Sequence, residues 1–145
     1  MTNFRFSLQR VLEWRRTQLE LEELEYRRQM AAVADLDHCQ AEVQESGRTA
    51  ERLVRAWNPL AGGELEALGD FRLHVKRRER ELAASREEHH KRMERQHTQL
   101  LEARRRLRLL ERLKERRWEE WRSAGEKELQ DLAGESYLAR WRRRP

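Results

Sequence analysis

The chain has 145 residues, of which 41% are charged and only 37% belong to the hydrophobic set, with six glycines and two prolines. That balance excludes a thick globular core and, with it, the enclosed pockets on which most enzymes depend. An Arg-, Glu-, Leu- and Ala-rich chain poor in Pro is the composition of a long helix, because these residues lose little on entering one. The net charge is +5, and residues 101–145 carry the whole surplus, with 14 Lys/Arg against 9 Asp/Glu. A basic C-terminal third calls for an acidic partner surface, or for a solvated face laced with i,i+4 Glu–Arg pairs.

In chain order, Ser7 is the first helix cap. Phe6 and Val11 stand at the two positions of a hydrophobic staple around it. A three- and four-residue spacing then runs 12, 15, 19, 22, 26, 29, 33, 36, 40, 43, 47, 50, 54, 57. Nine of these fourteen sites are apolar, and Arg15, Glu22, Gln29, Gln40 and Gly47 are not. The pattern predicts a coiled-coil seam over a first helix of about 7–57, worn by polar intrusions. Asn58-Pro59-Leu60-Ala61-Gly62-Gly63 gathers the strongest helix breakers, and the paired glycines permit positive φ, so the turn is expected over 58–63.

The same spacing resumes at Leu65 and continues to Ala124, with eleven of eighteen sites apolar. It predicts a second helix of about 64–133, loosened near Gly69 and weakest at Arg86, His89 and Gln96. The tail 134–145 is expected to fray after Gly125 and Gly134. A short connection makes the helices antiparallel neighbours. The expected fold is therefore all-α: two long helices in an antiparallel coiled-coil hairpin occupying 1–145. Folding at 58–63 places Leu8 beside Lys114 and residue 38 opposite about 84. Both termini then share one end, and the longer second helix overhangs beyond about Glu115.

Sites of chemistry are few. His90 and His97 share a helix face, but His38-Cys39 lies several residues away in the expected register, so no metal site is expected. The chain has neither a P-loop nor a G-x-G-x-x-G motif, and no cofactor is expected. Paired acids such as Glu22-Glu23, Glu87-Glu88 and Glu119-Glu120 fall on solvated faces. The chain is therefore not expected to be an enzyme. The single Cys39 fits a reducing cytoplasm, and no stretch approaches the ~20 apolar residues of a membrane span or a signal segment. A soluble, cytoplasmic protein is expected. The basic runs Lys76-Arg77-Arg78, Arg104-Arg105-Arg106 and Arg142-Arg143-Arg144 resemble nucleic-acid or lipid patches. Acids punctuate the first two, and no specific nucleic acid is expected. Large apolar residues outside the seam carry more information, because exposed aromatics grouped at one end mark a partner surface. Phe4, Phe6, Leu8, Trp14, Leu109, Leu113 and Trp118 fall at the terminal end, and Phe71 falls near the hairpin tip.

Two blocks carry a family resemblance. Phe4-Arg5-Phe6-Ser7-Leu8-Gln9-Arg10-Val11-Leu12 resembles the opening of the FliJ family of flagellar type III export proteins. Leu110-Glu111-Arg112-Leu113-Lys114-Glu115-Arg116-Arg117 is similar to that family's C-terminal "LEKLKERR" block. The length, the break near residue 60 and the longer second helix fit the same layout. The tail departs from it: Gln130-Asp131-Leu132-Ala133 matches only part of the family's acidic pair before an alanine-rich stretch, and the ending is arginine-rich.

The resemblance implies a stalk-like component of the flagellar export apparatus that hydrolyses nothing. Its partners would be the hexameric export ATPase, the membrane-embedded export gate protein and the substrate chaperones. It would be cytoplasmic, and peripheral at the inner membrane through those partners. On this reading Leu8, Val11, Arg15, Arg112, Arg116, Arg117 and Trp118 meet the ATPase ring. Phe71, Val75 and Leu82 meet the gate or chaperones. Two other readings stand beside it: a basic coiled coil that binds nucleic acid or anionic membrane, and a scaffold that self-associates through its imperfect seams.

Overall fold

A computed structural model describes residues 3–57 and 61–143. Two α-helices account for nearly all of them, α1 (Gln9–Ala56) and α2 (Gly62–Arg142), packed together as an all-α helical hairpin. No helix among the described residues is long and apolar enough to cross a membrane. Asn58, Pro59 and Leu60, the centre of the expected turn, lie outside the described residues, as do Arg144 and Pro145.

The helix ends differ from expectation in three places. Leu8, not Ser7, stands at the cap position of α1, because the Leu12 amide donates to the Leu8 carbonyl at 2.9 Å while the Gln9 amide closes a tighter turn on Phe6 at 3.1 Å. Gly62 and Gly63 are the first residues of α2 rather than part of the turn. The Glu64 side chain accepts a hydrogen bond from the Ala61 amide at 3.0 Å, and the Glu64 amide donates back to the Ala61 carbonyl at 3.2 Å. This is the carboxylate half of a capping box, and it starts a helix that two glycines alone would disfavour. At the other end, α2 runs through Gly69, Gly125 and Gly134 to Arg142, beyond the expected limit near 133. Each glycine costs a helix about 1 kcal/mol, which the flanking Glu, Leu, Gln and Ala residues offset.

The chain forms two compact units, Met1–Glu20 with Leu101–Pro145, and Leu21–Leu100. Within each, α1 and α2 run antiparallel, since partners on α2 fall in number as those on α1 rise. In the first unit Lys114 Nζ donates to Gln9 Oε1 at 2.9 Å, and Arg16 pairs with Glu111 at 3.6 Å. In the second, Glu22 meets Gln96, Asp37 meets Arg86, and Glu51 meets Arg72. The expected register, with Leu8 near Lys114 and residue 38 near 84, agrees with these pairs.

Of the α1 seam sites, all but Trp57 are buried or half-buried. On α2 Leu65 and Arg117 are exposed at expected seam sites, and at two further sites the seam shifts by one residue. Phe71 turns inward in place of Arg72, and Gly125 is buried in place of Ala124. The first shift has a visible cause. Gly47 presents no side chain: a β-carbon there would lie 3.4 Å from Val75 Cγ1, and Phe71 lines the groove left beside it. The core itself is thin. Leu12 and Leu107 are buried in the first unit, and Val33, Leu82 and Leu100 in the second.

Candidate protein-binding surfaces

In the unit Met1–Glu20 with Leu101–Pro145, the apolar contact begins before α1 does. The rings of Phe4 and Trp121 meet at 5.9 Å with a 52° tilt, within the distance at which aromatic pairs attract. The N-terminal segment therefore covers α2 well past Glu115. The exposed stretch begins beyond Gly125, not at Glu115 as the spacing implied, because residues ahead of the first helix also pack on α2, Phe4 against Trp121.

The same unit also exposes a set of apolar and cationic side chains. Trp14 is 53% and Trp118 44% exposed, although both are large enough to fill a core. Each carries a guanidinium over its face: Arg15 at 4.7 Å from the Trp14 ring and Arg122 at 5.6 Å from that of Trp118. Such cation–π stacking holds an exposed indole in one place at little cost. Leu8 and Val11 are exposed on the N-terminal side of Trp14 in sequence, and Arg112, Arg116 and Arg117 are exposed on α2, with Arg117 donating to Glu120 at 3.1 Å. Of the residues expected at an ATPase interface, only Arg15 is half-buried, at a seam site of α1. Toward Leu101, a shallow open groove on α2 is lined by Leu101, Arg104, Arg105, Arg108, Leu109 and Arg112. Arg105, Arg108 and Arg112 form no ion pair among the described residues.

The unit Leu21–Leu100 is cross-linked by polar groups. Gln96 Nε2 donates to the Glu22 carbonyl at 3.3 Å and to the Glu22 carboxylate. His89 Nδ1 lies 3.5 Å from Gln29 Oε1, and the Tyr26 and His97 rings meet at 5.4 Å. Arg72 donates to Glu51 at 3.0 Å. Arg86 donates to Asp37, and that hydrogen bond, then the carboxylate's charge, raises the guanidinium pKa further above its usual value. The groove at Gly47 is lined by Phe71, Val75, Arg48, Lys76 and Glu79 among others. Of the residues expected to meet a gate or chaperone, Phe71 and Val75 face this groove. Leu82 does not: it is 5% exposed in the seam and supports the helix contact instead.

Among the described residues no group of three or more His, Cys, Asp or Glu side chains is placed to hold a metal. His38 and His90 each face a carboxylate one turn on, Glu42 at 3.1 Å and Glu94 at 3.6 Å. Two features were not legible in the spacing. One is the groove opened by Gly47, whose signal was a glycine at a seam site. The other is the stacking of Trp14 and Trp118 under arginines, whose signal was Trp-Arg adjacency and an i,i+4 Trp-Arg pair. The fold and its surfaces define a helical hairpin with open grooves and exposed aromatic and cationic side chains. No family model, curated protein or solved structure matches the chain.

Proposed function

We propose that this hairpin is a stalk-like component of the flagellar protein export apparatus, coupling the hexameric export ATPase to the export gate and substrate chaperones by binding alone. The observation that carries the reading is the exposed set in the terminal unit, where Trp14 and Trp118, each under an arginine, stay exposed with Leu8 and Val11. Desolvated indoles give affinity to an interface, and flanking charges give register and on-rate. The two sequence blocks that resemble the FliJ family lie in this same unit, at 4–12 and 110–117. The groove of Phe71 and Val75 is the corresponding candidate surface for the gate or chaperones.

The test mixes the purified chain with the flagellar export ATPase of the same organism and follows hexamer formation and ATP turnover. Faster turnover at sub-stoichiometric amounts is expected. Trp118→Ala with Arg116→Glu is expected to weaken that binding by roughly 10- to 100-fold. Because both side chains are exposed, stability should change by less than about 0.5 kcal/mol. Unchanged ATPase binding by this variant sinks the assignment of the terminal unit.

A second reading is favoured by one observation, the arginine-lined groove between Leu101 and Arg112. An anionic nucleic acid or membrane surface bound there would be lost steeply with added salt and would survive Trp118→Ala.

A further inference from the structure

Beyond Gly125 every described residue, from Glu126 to Arg143, is exposed, yet the helix continues to Arg142. A single helix that buries nothing is marginal in water. The stripe that forms the seam does not stop with it. From Trp121 and Gly125 it passes through Leu129, Leu132, Ser136 and Ala139 at three- and four-residue steps, so these four stand on one face. Leu129 is 58% and Leu132 61% exposed.

We propose that this stretch is a self-complementary docking face, on which the same stretch of a second copy lies antiparallel. The pattern is symmetric about Gly134. A two-fold axis there sets Leu129 against Ala139 of the other copy and Leu132 against Ser136, so each large side chain meets a small one and the helices approach closely. An isologous contact of this kind uses one patch twice.

The flanking charges obey the same symmetry. Residues 126–135 hold Glu126, Glu128, Asp131 and Glu135 against Lys127, whereas 136–143 hold Arg140, Arg142 and Arg143 and no acid. In an antiparallel helix pair, flanking positions on the same side meet each other. One side then brings Glu126 to Arg140 of the other copy, and the other side brings Glu128 to Arg142. Each pair occurs twice by symmetry. Only Glu135 meets its own copy, near the axis. A parallel pairing retains just the Glu135–Arg140 attraction, so the charges select the antiparallel one. In the single chain Glu126 accepts from Arg122 at 3.1 Å, while Glu128, Arg140 and Arg142 form no ion pair among the described residues.

At 1.5 Å per residue the paired stretch spans roughly 26 Å. That is short of a standard-size interface, so the dimer is weak, dissolves on dilution and loosens in high salt. This inference is independent of the proposed export role.

The test is sedimentation equilibrium of the full chain over a range of concentrations, with two charge variants. One is Glu126→Lys with Glu128→Lys, and the other is Arg140→Glu with Arg142→Glu. The wild type is expected to dimerise with concentration. Each variant alone is expected to sediment as a monomer, and their equimolar mixture to recover the dimer. Leu132→Glu is expected to abolish it, and Trp141→Ala, off the stripe, to leave it intact. A wild type that stays monomeric throughout overturns the proposal. So does a dimer indifferent to both charge variants, or a mixture that fails to recover it.

Discussion

The two units join the same pair of helices by different means. In the unit Met1–Glu20 with Leu101–Pro145, contact rests on Leu12, Leu107 and the Phe4–Trp121 ring pair, with polar links at its margin. In the unit Leu21–Leu100, apolar layers at Val33, Leu82 and Leu100 alternate with polar ones, Glu22–Gln96, Gln29–His89 and Asp37–Arg86. Apolar seams give affinity but tolerate sliding, because one leucine packs much like the next. A polar group at a seam site is satisfied in one register only, at some cost in stability. The difference teaches that the first unit supplies contact and the second supplies register.

The sharpest way to break that contrast is Leu12→Ala. Leu12 is wholly inaccessible to solvent. Its truncation is expected to cost about 2–3 kcal/mol in urea unfolding followed by circular dichroism, the lower part of the usual range because a two-helix seam relaxes readily. Leu109→Ala, at an exposed site in the same unit, is expected to cost less than about 0.5 kcal/mol. Equal costs at the two sites would mean that the terminal unit has no core of its own.

The polar layer responds differently. Gln96→Ala alone leaves the half-buried Glu22 carboxylate short of a donor and is expected to cost about 1–2 kcal/mol. Glu22→Leu with Gln96→Leu is expected to be neutral or stabilising while weakening register. Cysteine cross-linking across neighbouring layers would show this as several linked products in place of one. A single product from the double variant would move the register function elsewhere.

Gly47→Ala carries the smallest effect and the opposite sign. The added methyl makes ordinary contact with Val75 and gains helix propensity, so a stabilisation of about 0.5–1 kcal/mol is expected. It also narrows the groove beside Phe71. A gate or chaperone that uses this groove would bind the variant more weakly even though the variant is the more stable protein.

Much of this was legible in the residues. The three- and four-residue spacing located the seam on α1 at every site but Trp57, because helical geometry alone determines which positions share a face. It was less reliable where the partner mattered. Phe71 displaced Arg72 since a gap at Gly47, on the other helix, admits a ring. Gly125 displaced Ala124 in the terminal unit. Leu82, which the spacing put on the seam and the family resemblance gave to a partner, is seam, because an apolar residue at a core site has its own chain as first claimant.

Composition and periodicity by themselves determined that this chain is two long helices, where they break and how they are registered, because these follow from local propensity and from a repeat matched to the helical turn. Only the tertiary structure decided what the misfits in the repeat are for. Glu22, Gln29, Arg86, His89 and Gln96 read singly as flaws in two separate seams. Set against the facing helix at hydrogen-bonding distance they find partners, Glu22 with Gln96, Gln29 with His89 and Arg86 with Asp37, and the pairing of groups some 50–75 residues apart is a property that a one-helix pattern does not contain.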